Sequence, residues 1–227
     1  AGIVSPIRYS INNGASYQTS AVFTVTTAGD YTITLIDGNG CIATAPMVTV
    51  APQLTLNAVL NKDITCVVGD EPARITVTPT GGVGPFTYVI TTPASESSNV
   101  TGASTGVFTT STADNYTFTV TDALGCTFTT TTPIAVTAPV IPVITGVSQT
   151  ASINCNGDDT AAITIAIDNT QGQSPFVFNV LNTTTGVNYG TQTSGLSAGD
   201  YLITVTEAKG CTDKDTITIT EPAAITF

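Results

Sequence analysis

Histidine and tryptophan are absent from this 227-residue sequence, and five Lys and Arg stand against sixteen Asp and Glu. Without histidine there is no ready general base or nitrogen ligand for zinc, and no CxxC pair offers a substitute. A formal charge of −11 with so few cations argues against nucleic acid or an anionic membrane surface as partner, because both are held by clustered Lys and Arg. No apolar run approaches the roughly 18 residues of a membrane-crossing helix. The opening AGIVSP has neither the charged nor the apolar region of a signal peptide, so the chain reads as a mature piece.

What is present is a repeat. YTITLIDGNGC at 31–41, YTFTVTDALGC at 116–126 and YLITVTEAKGC at 201–211 lie 85 residues apart. In each, apolar positions alternate with Thr or other small residues, the period of a half-buried strand. An acid then opens a turn and Gly40, Gly125 or Gly210 closes it, because a carboxylate bonds the backbone ahead and glycine accepts positive φ. Ala28-Gly29-Asp30, Ala113-Asp114-Asn115 and Ala198-Gly199-Asp200 precede the tyrosines at the spacing of a tyrosine corner. The motif therefore reads as the F–G hairpin of an immunoglobulin-like sandwich.

The fold class is all-β: tandem immunoglobulin-like β-sandwich modules of about 85 residues, with no stretch of helical period. Residues 1–52 form a partial repeat with strands C to G, 53–139 and 140–222 are complete repeats, and 223–227 start a following one. The partial copy implies a fragment of a longer array. Pro52, Pro139, Pro142 and Pro222 mark short linkers that leave in an extended, semi-rigid path.

Each complete repeat has one cysteine before its second strand and one at the start of its last. That pattern predicts the disulfides Cys66–Cys126 and Cys155–Cys211, leaving Cys41 to pair with a cysteine upstream, and with them an oxidising compartment. The remaining candidates for chemistry are carboxylates. Asp70-Glu71 and Asp158-Asp159 follow the first cysteine of each complete repeat, where they serve either as turn residues or, with carbonyls such as those of Gly69 and Gly157, as a calcium loop. No EF-hand spacing is present, and no catalytic constellation or other cofactor motif is recognisable. Calcium is thus the one cofactor the residues leave open, and the chain reads as a non-enzyme.

Taken together, Cys with Gly and acids, the starts Pro85-Phe86-Thr87-Tyr88 and Pro175-Phe176-Val177-Phe178, the AGxY and TVTDxxGC hairpin and the closing TITEP resemble the SprB repeat. Such repeats occur in tandem in very large surface adhesins that gliding bacteria move along their outer membrane. The resemblance covers nearly the whole chain, with Glu207 replacing the turn Asp and Asn115 the residue before Tyr116. It implies type IX secretion, a cell-surface location attached to the outer membrane, and a structural stalk. Its partners would be neighbouring repeats, with the motility machinery and substratum engaged by other parts of the parent protein. It also implies O-glycosylation at Thr160 and Thr216, each after Asp and before an apolar residue. Two rivals stand beside the stalk: a glycan- or protein-binding sandwich, and a surface-layer or filament subunit.

Overall fold

The structure, a computed structural model, describes residues 2–226; Ala1 and Phe227, the latter assigned with 223–226 to the start of a further repeat, lie outside the described residues. Among those residues there is no α-helix, only one 3-10 turn at Ala94–Glu96.

The first repeat has five short strands: β1 (Arg8–Ser10), β2 (Gly29–Tyr31), β3 (Thr34–Ile36), β4 (Ile42–Thr44) and β5 (Val48–Val50). They pair in the orders β1-β3-β4 and β2-β5, a C–F–G sheet. The second contains β6 (Thr55–Lys62), β7 (Ala73–Thr80), β8 (Thr87–Thr92), β9 (Val107–Thr110), β10 (Asp114–Thr121), β11 (Thr127–Thr129) and β12 (Ile134–Val136). One sheet is β6-β7-β9; in the other β10 lies between β8 and a last strand interrupted between β11 and β12. The third contains β13 (Ile144–Ala151), β14 (Ala161–Ile167), β15 (Val177–Asn182), β16 (Asn188–Gly190), β17 (Ser194–Leu196), β18 (Gly199–Thr206) and β19 (Thr212–Ile219). Its sheets β13-β14-β17 and β16-β15-β18-β19 are strands A, B, E facing C′, C, F, G, so the all-β, immunoglobulin-like architecture holds.

The alternation in the sequence becomes burial. Tyr201, Ile203 and Val205 of β18 are fully buried while Leu202, Thr204 and Thr206 between them are not. On the outward side the threonines bond across strands: the Thr91, Thr119 and Thr129 hydroxyls form a chain with both links at 2.7 Å. Such a ladder satisfies each hydroxyl while its branched carbon favours the extended backbone.

The chain forms two compact units. One comprises 1–59, 75–108 and 115–134; the other comprises 60–74, 109–114 and 135–227. In the first, Phe108, Tyr116 and Phe118 are fully buried, with the Phe108 and Phe118 rings 5.1 Å apart. In the second, Ile153, Ala161, Ile163, Val180, Leu196, Tyr201, Ile203 and Ile219 form one core cluster.

Within the first unit, Gly106 enters β9 at φ +73° and accepts the Val77 N–H at 2.7 Å; a Cβ there would sit 2.4 Å from the Val77 oxygen. Gly106→Ala combines backbone strain with that clash, and a loss of about 2–3 kcal/mol is expected. Urea midpoints of the two proteins measure it.

Candidate functional site: the Cys66–Cys211 junction

The three hairpins share one hydrogen-bond scheme. Asp37, Asp122 and Glu207 each accept, on one carboxylate oxygen, the N–H groups two and four residues ahead. These are Asn39 and Cys41, Leu124 and Cys126, and Lys209 and Cys211, at 2.8–3.0 Å. The other oxygen reaches back to the connection before the third strand, at Val4, Val83 or Gln173. Glu207 makes the same three bonds as the aspartates, its longer arm taken up by burial to 3% exposure. The N–H of Cys41 chiefly holds the Asp37 carboxyl below its ordinary range. For Asp122 burial pushes upward, but the N–H groups of Cys126, Val83 and Leu124 prevail and lower it. These carboxylates are turn staples that also fasten each hairpin to its own sandwich end.

That fastening decides the cysteine chemistry. In the third repeat Cys155 precedes β14, whereas Glu207 ties the Cys211 hairpin to Gln173 beyond the other end of β14. Seven extended residues separate the two ends, roughly 23 Å, whereas disulfide-bonded Cα atoms lie within about 7 Å. The expected pairs Cys66–Cys126 and Cys155–Cys211 are therefore not formed. The bond is Cys66–Cys211, with Cα atoms 4.8 Å apart and a sequence separation of 145. It joins the second repeat's A–B connection to the third repeat's F–G hairpin, both inside the second compact unit. Cys41, Cys126 and Cys155 are exposed free thiols.

Around the bond lies a polar lock that sequence reading missed. The Cys66 N–H donates to the Lys209 carbonyl at 2.9 Å, and the Lys209 Nζ sits 2.7 Å from Asp63 Oδ2 and 2.9 Å from Thr137 Oγ1. Asp63 also accepts from the backbone N–H and the hydroxyl of Thr137. Burial works against the Asp63 charge, but the Lys209 ammonium and the Thr137 and Ile64 donors overcome it and hold the carboxyl at about 2. The only signal in the sequence was Lys209 at a place where Asn39 and Leu124 stand in the other hairpins.

The folded pKa of Asp63 lies below the ordinary 3.8, so the stabilisation is complete above about pH 4 and is lost as pH falls toward 2. Allowing for solvent at this half-buried pair, Asp63→Asn should cost about 1 kcal/mol at neutral pH, and the cost should shrink as pH falls through about 2. Denaturant midpoints of both proteins across that range test it.

The calcium candidates sit in turns. Asp70 pairs with Lys62, Glu71 accepts the Gly69 N–H, and the Asp158 N–H donates to the Cys155 carbonyl. Asp159 is exposed beside Asp158, and no group of three or more His, Cys, Asp or Glu is placed to hold a metal among the described residues. Thr160 and Thr216 are both exposed. In the first unit an open apolar groove lined by Ile11, Phe23, Val25, Tyr31, Ile33 and Val50 marks the uncovered face of the first repeat's sheet.

No curated protein matches this sequence. Among solved structures, the chain is similar to a C-terminal fragment of intimin in complex with the intimin-binding domain of its translocated receptor. The match has 20% identity and a TM-score of 0.37, over 52% of this chain and 44% of the fragment. It is also similar to extracellular domains 3–5 of Drosophila OTK, with 13% identity and a TM-score of 0.36 over 86% of this chain and 72% of that one. The chain thus spans less than half of the intimin fragment. Residues 62–95, which run from the end of β6 through Cys66, β7 and β8 into the 3-10 turn, match the family model of the SprB repeat.

Proposed function

We propose that this chain is a run of structural stalk repeats from a large secreted cell-surface adhesin, of the kind moved in gliding motility. The observation that carries the reading is the SprB repeat match at residues 62–95, set in sandwiches that repeat every 85 residues. The repeats are 1–52, 53–139 and 140–222, with 223–227 opening another. Export by type IX secretion, attachment at the outer membrane and glycans on Thr160 and Thr216 belong to the same proposal, as does the absence of catalysis. The bond between adjacent repeats supports it, because a stalk transmits load and a covalent link across a repeat boundary carries tension that packing alone resists weakly.

A stalk carries its ligand-binding parts elsewhere. The fully buried Tyr116 and Tyr201 sit at equivalent strand positions and act as core, not as platforms for sugar rings. A glycan array and a surface-adhesion assay on the whole chain should show no saturable binding. Binding that survives high salt and disappears on changing an exposed loop would overturn the stalk and favour a binding module.

A further inference from the structure

We propose that the cysteines of this array pair with a shift of one repeat. The cysteine between the first two strands of a repeat bonds to the hairpin cysteine of the repeat that follows. Cys66–Cys211 is one such bond. The partner of Cys155 is then the cysteine of an acid-x-x-Gly-Cys hairpin in a repeat joined after Pro222, and Cys126 is the partner of an A–B cysteine in the repeat before its own.

Three observations carry this. The free thiols fall into the two classes that the bond joins: Cys155 precedes β14 as Cys66 precedes β7, and Cys41 and Cys126 close their turns as Cys211 does. Within one repeat the two classes lie at opposite strand ends, so they cannot satisfy each other there.

The hairpins also share one turn geometry, and one of the three is covered. Gly40, Gly125 and Gly210 share a φ of 81–83°, and all three turns have the same bonds. A Cβ on Gly210 would meet Val67 at 2.6 Å, next to Cys66, whereas one on Gly40 or Gly125 would meet nothing within 4 Å. Cys211 is accordingly 1% exposed, while Cys41 and Cys126 are open. A hairpin of the same shape is buried once a Cys66-type connection sits on it.

Finally, the outgoing chain lies beside Cys155 as it lies beside Cys66, held there by different bonds. Thr137, leaving the second repeat, is bonded through its N–H to Asp63 at 2.9 Å. In the third repeat Glu221 accepts the Gly157 N–H at 2.6 Å, and Asn156 donates to the Pro222 carbonyl at 3.1 Å. In both cases the outgoing chain is pinned beside the cysteine. Asn154, Cys155, Asn156, Pro222 and Ile225 line a shallow cleft there, and a further repeat would start from it.

The chemistry is thiol–disulfide exchange with a small disulfide such as oxidised glutathione. The Cys155 thiolate attacks it and releases one glutathione thiolate. The hairpin thiolate then displaces the second, so one protein disulfide forms and one glutathione disulfide becomes two thiols that take up the two protons.

The test is a chain extended after Pro222 by a second copy of residues 140–222, folded in a glutathione buffer, alkylated and peptide-mapped without reduction. Two bonds are expected: Cys66–Cys211, and Cys155 to the cysteine of the added hairpin. Alkylation of Cys155 should fall at least tenfold relative to the unextended chain, with Cys41, Cys126 and the added loop cysteine still labelled. A map in which Cys66–Cys211 has formed but Cys155 is alkylated, or one in which Cys155 is bonded to Cys211 or the two added cysteines to each other, overturns the proposal. The natural full-length protein, alkylated at harvest from cells, gives a second measurement independent of how the extended chain folds. A Cys155 peptide cross-linked to a Gly-Cys hairpin peptide supports the shifted pairing, and a Cys155 peptide carrying the alkyl group refutes it.

Discussion

Reduction of the Cys66–Cys211 bond, or Cys66→Ser, should produce the largest loss of stability of any change at the surface of this protein. The bond closes a loop of 145 residues. In the chain-entropy account, opening a loop of that length restores enough disorder to the unfolded chain to cost roughly 5 kcal/mol. Cys66 is the better residue to change, since it is half-buried while Cys211 is 1% exposed and a hydroxyl there would add a desolvation cost. Thermal melts with and without reductant measure the loss. The same bond should govern response to force. When the oxidised chain is pulled from its ends, tension passes through the two sulfurs, and the stretch between them, a sequence separation of 145 or about 500 Å of extended chain, stays out of the path. Under reductant that length should become available. Melting and extension curves unchanged by reductant would remove both the bond and the main support for a load-bearing role.

A comparable loss is expected from Tyr201→Ala, about 3–5 kcal/mol. The ring is fully buried in the third repeat's core, 5.9 Å from the Tyr189 ring, and its hydroxyl donates to the Ser197 carbonyl at 2.8 Å. Tyr31 makes the equivalent bond to Thr27 at 2.7 Å, which identifies the contact as the tyrosine corner that locks the chain as it turns into strand F. Tyr201→Phe keeps the ring and leaves the Ser197 carbonyl without this donor, so it should cost only about 1 kcal/mol. Burial pushes the phenol pKa of Tyr201 up, so its absorbance should titrate later than that of an exposed tyrosine. Urea midpoints for the two variants separate the roles; an Ala variant that loses less than about 1 kcal/mol would show that the ring is not the keystone of this core.

Much of this molecule was legible in its sequence because local rules carried it. Alternation around Tyr31, Tyr116 and Tyr201 set the strands, since one-sided burial has a period of two. Acid and glycine spacing set the turns, and the structure gives Asp37, Asp122 and Glu207 the same three bonds. The SprB resemblance rested on such local runs and returns at residues 62–95. The cysteine pairing was not local. Both cysteines recur once per repeat, Cys126 and Cys211 at the hairpin and Cys66 and Cys155 before the second strand, so sequence alone cannot distinguish a bond within a repeat from one shifted to the next. Nor could it foresee that Lys209, Asp63 and Thr137 would meet across 146 residues of chain. Strand length decided both: β14 holds Cys155 and Cys211 at its opposite ends, too far apart to bond, while the junction of two repeats brings Cys66 and Cys211 within reach.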